Sequence, residues 1–119
     1  MKEPGPEHPI NISPVSSRVT VKAGGAVIAA SDNALIMQES TYPPVYYLPR
    51  ADAAMDALAA SDHGSYCPYK GDASYFSIPA LGADGANAVW SYESPYPAVA
   101  EIVGHLAFYS DKVDISVES

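Results

Sequence analysis

Apolar and polar positions alternate with a period of two along much of the chain. Arg18-Val19-Thr20-Val21-Lys22 reads as a half-buried strand, Ala26-Val27-Ile28-Ala29 as its continuation, and the intervening Gly24-Gly25 as a hairpin turn. Ser31-Asp32-Asn33 marks a second turn, Ala34 to Gln38 a third strand, and Val45-Tyr46-Tyr47-Leu48 a compact β-prone run between prolines. Further strands are expected over Ser65 to Tyr69, Ala73 to Ile78, Ala86 to Glu93, His105 to Tyr109 and Val113 to Val117. Only Ala51 to Ala60 has helical spacing, with Ala51, Met55 and Leu58 at i, i+4 and i+7 and Asp52 in the first turn. Ser61-Asp62-His63-Gly64 would end that helix, and Pro95 and Pro97 leave room for a helical turn over Ala98 to Val103. Residues 1–17 carry Pro4, Pro6, Pro9 and Pro14 and are expected to form an extended lead-in that docks through Ile10 and Ile12. Residues 18–119 are expected to form a single β-rich domain.

Composition narrows the function classes. The chain has 119 residues, 48% of them hydrophobic and 17% charged, so it can bury a core. Six Lys and Arg against fourteen Asp and Glu give a net charge of −8. So acidic a protein is a poor nucleic-acid surface, which needs cations to replace counterions around phosphate. No apolar run approaches the roughly 18 residues of a membrane span, and the first residues lack the apolar core of a secretory signal, so a cytoplasmic location is expected. A lone cysteine, Cys67, forms no internal disulfide and no four-cysteine zinc site.

Three segments carry a family resemblance. They are Pro44-Val45-Tyr46-Tyr47-Leu48-Pro49-Arg50, then Tyr66-Cys67-Pro68-Tyr69-Lys70-Gly71-Asp72-Ala73-Ser74-Tyr75, then Trp90-Ser91-Tyr92-Glu93 with Pro95-Tyr96-Pro97 and Gly104-His105. In order and spacing the chain resembles the family known as domain of unknown function 427, over nearly its whole length. That resemblance implies a β-tent fold of packed antiparallel sheets, similar to methionine-R-sulfoxide reductases and the thalidomide-binding domain of cereblon. Those relatives commonly hold zinc through paired cysteines. Here Cys67 stands alone, and His8, His63 and His105 lack ligand spacing, so neither metal nor cofactor is expected. Packing of nine Tyr, two Phe and Trp90 would then link the sheets. A nucleotidyltransferase-like label is also attached to the family. Such transfer needs a Gly-Ser followed shortly by Asp-x-Asp to hold divalent ions on phosphates; Gly64-Ser65 is present, but the acids are not.

Within these segments each chemical candidate has a packing alternative. Cys67 is a candidate nucleophile with Lys70 three residues on, yet on a strand i and i+3 face opposite ways, and free cysteines are commonly buried. Arg50 and Lys70 are two of six cations and would suit an anion; otherwise they pair with acids, Lys70 with Asp72 or Glu93 and Arg50 with Asp52. His63 and His105 are candidate general acid–base groups, the usual role of an imidazole in catalysis; alternatively His63 caps the helix and His105 satisfies backbone groups. Trp90 and Tyr92, two apart, share a strand face and with Tyr47 and Tyr75 line either a planar-ligand pocket or an inter-sheet core.

Three functions follow. The first is an aromatic site for a small anionic or planar ligand, with Tyr47, Tyr75, Trp90, Tyr92 and His105 as contacts and Arg50 and Lys70 as anchors. The second is a structural or protein-interaction domain, for which a homodimer would hide strand edges. The third is a thiol-dependent enzyme using Cys67 with Lys70 and His63.

Overall fold

The computed structural model of the protein describes residues 1–118. Ten strands, β1 (Ile10–Pro14), β2 (Val19–Ala23), β3 (Ala26–Ser31), β4 (Leu35–Glu39), β5 (Val45–Tyr47), β6 (Ala59–Cys67), β7 (Gly71–Ser77), β8 (Val89–Ser91), β9 (Ala107–Phe108) and β10 (Asp114–Val117), form three antiparallel sheets. The sheet orders are β1-β4-β5, β10-β2-β3 and β6-β7-β8-β9. The fold is mainly β, as the period-two patterning predicts. Gly24 and Gly25 both have positive φ, +58° and +86°, the backbone that a two-residue hairpin between β2 and β3 demands.

The proline-rich start enters a sheet: β1 pairs with β4 from Ile10–Glu39 to Pro14–Leu35. Ile10 and Ile12 pack partly buried against an apolar cluster.

The expected helix over Ala51 to Ala60 is corrected. Two 3-10 turns, Arg50–Asp52 and Met55–Ala57, flank an extended Ala53, and β6 begins at Ala59. The reason is tertiary. Ala53 bridges to Ala29 of β3, and the Ala54 N–H donates to the Ile28 carbonyl at 2.8 Å, capturing an amide that an α-helix would bond internally. A 3-10 turn aligns i with i+3, so Met55 and Leu58 still reach the same apolar cluster. Ser61-Asp62-His63-Gly64 therefore lies within β6, where the register shifts between Ala60 and Gly64, and ends no helix. Over Pro97–Ile102 the expected helical turn is a kinked 3-10 segment.

Two apolar clusters result. One gathers Val19, Val21, Ile28, Leu48, Ile78, Val89, Leu106 and Phe108. The other gathers Met37, Tyr47, Ala73, Tyr75, Tyr92, Val99, Ile102 and Ala107. Between them runs a partition in which neighbouring residues face opposite ways: Tyr47 and Leu48, Trp90 and Val89, Ala107 and Phe108. Reciprocal hydrogen bonds between Leu48 and Leu106, both 2.8 Å, stitch the β1-β4-β5 sheet to the β6-β7-β8-β9 sheet along this partition. The tyrosine-rich second cluster opens into a pocket.

Candidate functional site

β4 and β5 form one wall of this pocket, and β7 and β8 the other. Alternation along β4 turns Met37 and Glu39 into it, and β5 adds Val45 and Tyr47. Tyr75 on β7 pairs in register with Trp90 on β8, and Tyr92 lies two residues beyond on the same face. Lys70 arrives from the connection between β6 and β7, where its N–H donates to the Cys67 carbonyl at 3.2 Å and its carbonyl accepts from Tyr96 N at 3.0 Å. These residues, with Tyr42, Pro43 and Tyr109, enclose about 220 Å³. An outer groove of about 640 Å³ shares Glu39, Tyr42, Pro43, Val45, Trp90 and Tyr109 with it and continues to Ile115 and Val117 of β10.

The inner pocket has aromatic walls and one charged pair. Trp90 meets Tyr47 edge-on, at 6.4 Å between ring centres, and its indole N–H donates to the Tyr47 hydroxyl at 3.4 Å. Tyr109 lies against the indole at 4.6 Å. The Tyr75 hydroxyl shares a 2.8 Å hydrogen bond with Ser65 Oγ. Lys70 Nζ donates to Glu39 Oε1, and both side chains are nearly covered, 12% and 13% exposed. The other carboxylate oxygen, Oε2, lies 2.8 Å from His8 Nε2, and the His8 ring stacks on Tyr69 at 4.0 Å.

Burial pushes the Tyr47 and Tyr92 phenols far above their ordinary value of 10, so both stay protonated and can donate. For Glu39, burial alone would raise the carboxyl. Hydrogen bonds and charge from Lys70 and His8 outweigh it, so Glu39 titrates below its ordinary 4.5. A carboxylate depressed in the folded state contributes stability above its unfolded value and loses it as pH falls through the folded one. Wild-type urea midpoints are therefore expected to fall more steeply below about pH 4.5 than those of the Lys70→Met/Glu39→Leu double variant. Parallel curves would show that the pair contributes nothing to acid sensitivity.

Tyr47, Lys70, Tyr75, Trp90 and Tyr92 thus meet in one cavity, although they come from three separate segments. Arg50 does not join them. Its guanidinium donates to Glu93 Oε1 (2.6 Å), Ser91 Oγ (3.1 Å) and the Gly104 carbonyl (3.2 Å), and lies 5.4 Å from the Phe76 ring centre. The expected ion pairs are corrected accordingly. Lys70 takes Glu39 and Arg50 takes Glu93, while Asp52 accepts from Ser31 Oγ at 2.6 Å. Distance in sequence hid Glu39, 31 residues from Lys70. Its place two residues after the buried Met37, on one face of a strand, was the available signal.

His105 is also apart, exposed, with Nδ1 3.0 Å from the Val103 carbonyl. His63 is exposed on β6 and meets the Tyr75 ring edge-on at 4.5 Å; with no helix there, it caps none. Cys67 is partly buried against the second cluster, and the nearby Lys70 ammonium is committed to Glu39. Among the described residues, no three His, Cys, Asp or Glu side chains gather into a metal-ligating group, and no helix is long and apolar enough to cross a membrane.

Comparison with known families places this architecture. The sequence model of the domain of unknown function DUF427 matches residues 11–119, from the first strand to the end of the chain. The chain is a DUF427 protein. No curated protein matches it. Of the three segments that carry the resemblance, the first supplies Val45 and Tyr47 to the pocket, the second Lys70 and Tyr75, and the third Trp90 and Tyr92. In this DUF427 chain two residues of each motif segment thus face one shared space, whereas Arg50 and His105 lie outside it.

Proposed function

We propose that the protein is a small-molecule-binding domain whose site is the aromatic pocket between β4–β5 and β7–β8, and whose ligand is a small planar molecule without net charge. The observation that carries this reading is that Tyr47, Tyr75, Trp90 and Tyr92 line an open cavity with their rings. A cavity of about 150 Å³ already accepts a benzene ring, so about 220 Å³ suits a fused bicycle. The outer groove would admit whatever the ring carries, being within the usual range of ligand sites.

Charge argues for neutrality. Lys70 and Glu39 cancel, and Arg50 is held by Glu93 outside the pocket, so a free anion would gain little in a protein of net charge −8. Offset and edge-on ring contacts supply affinity beyond area alone.

Trp90 is the single tryptophan, so its indole N–H is a single reporter resonance in ¹⁵N-labelled protein. Titration with adenine, indole and quinoline is expected to move that resonance with dissociation constants of about 1 mM or tighter, as befits ligands of about ten heavy atoms. The Arg50→Ala variant should bind equally well. An unmoved resonance with all three compounds would refute the reading, and so would a response to inorganic phosphate alone.

A further inference from the structure

The polar groups facing the pocket are unevenly matched. Tyr92 is 6% exposed and Tyr47 1% exposed, and burial keeps both hydroxyls protonated. The Tyr47 oxygen accepts from Trp90 Nε1, but among the described residues its proton has no acceptor; the Tyr92 hydroxyl has no partner among them either and, since no fully buried side-chain polar atom there lacks one, it opens into the cavity. Lys70 uses one N–H on Glu39; its other two meet no acceptor among the described residues, only the Tyr92 ring face, 5.9 Å from Nζ to its centre. The one strong acceptor, the Glu39 carboxylate, is already engaged through both oxygens, by Lys70 and by His8. A lining with spare donors and a committed acceptor is complementary to a ligand that brings acceptors.

Resting on the binding reading above, we infer that the pocket selects planar rings bearing an in-plane hydrogen-bond acceptor, a ring nitrogen or a carbonyl oxygen, and that Tyr47 and Tyr92 are the specificity-determining donors. Ring stacking fixes the plane of the ligand. The phenols then read its edge, because a donor that a bound ligand seals from water and leaves unpaired costs far more than a satisfied one gains. A ring that presents only N–H groups could donate to a phenol oxygen but would leave the Tyr47 and Lys70 donors unmatched. A ring cation would meet Lys70 and find Glu39 neutralised, so aromatic walls alone would have to hold it.

Three near-isosteric probes separate these cases: quinoline (an acceptor), N-methylquinolinium (the same shape with the acceptor blocked and a positive charge) and indole (a donor). With the Trp90 indole resonance as readout, quinoline is expected to bind at least about 5-fold tighter than either of the others. Tyr92→Phe is expected to weaken quinoline about 5- to 10-fold, and indole by less. Tyr47→Phe is a second, independent variant, and a dispersed ¹⁵N spectrum shows that each is folded. Equal binding of quinoline and N-methylquinolinium, or a Tyr92→Phe variant that binds quinoline normally, would overturn the inference and leave the planar-ligand reading standing. Silence from all three compounds would overturn both.

Discussion

Lys70→Met is expected to lower the melting temperature by about 10 °C, through a loss of about 2–3 kcal/mol. The substitution leaves the Glu39 carboxylate, 13% exposed, without the ammonium that offsets its burial. Removing one partner of a well-buried pair costs about 3–5 kcal/mol; His8 remains on Oε2 here, so the loss is placed below that range. The Lys70→Met/Glu39→Leu double variant is expected to recover most of the difference, since neither charge then remains buried. Calorimetric melting of the wild type and both variants gives the comparison. A single variant that melts within about 2 °C of wild type would mean that Glu39 reaches solvent freely. A double variant as unstable as the single one would assign the loss to packing instead.

Gly85→Ala is expected to cost at least about 3 kcal/mol, enough to deplete the soluble folded protein. Gly85 is buried at the close of the 3-10 segment Pro79–Gly85, and its carbonyl accepts from Ile78 N at 2.9 Å and Ala88 N at 3.3 Å. An added Cβ would overlap the Ile78 carbonyl oxygen and stand 3.0 Å from its carbon and 3.1 Å from Leu81 Cβ. Backbone cannot swing aside as a side-chain tip can. Ile78 and Ala88 are themselves core residues, so a shift here disturbs β7 and β8, which carry Tyr75 and Trp90. Gly64→Ala is the control: its Cβ would lie 3.6 Å from the Ala73 carbonyl oxygen, an ordinary contact, and its effect is expected within about 1 kcal/mol. Urea unfolding followed by Trp90 fluorescence measures both. Equal stabilities of the two variants would contradict the close approach at Gly85.

Local chemistry made part of the site legible. Trp90 and Tyr92, two apart, face the same cavity because strand side chains alternate, and the Gly24-Gly25 pair forms the turn its positive φ values require. The helix expected over Ala51 to Ala60 shows the opposite case. Its alanines and its i, i+4, i+7 spacing are a weak local preference, and one long-range hydrogen bond, from Ala54 to Ile28, overrides it. Glu39 was missed for a related reason: its partners His8 and Lys70 lie 31 residues away on either side, and no spacing rule connects charges across sheets.

Read alone, the chain determined a mainly β protein of the DUF427 family, with most of its aromatic residues, Arg50 and Lys70 in three segments. Which of those residues look into a common space was decided by tertiary structure. Strand alternation says which neighbours share a face, but what that face meets depends on sheets brought together by pairings such as Leu48 with Leu106. Only that meeting separates Lys70, facing the cavity beside Glu39, from Arg50, anchored behind it on Glu93.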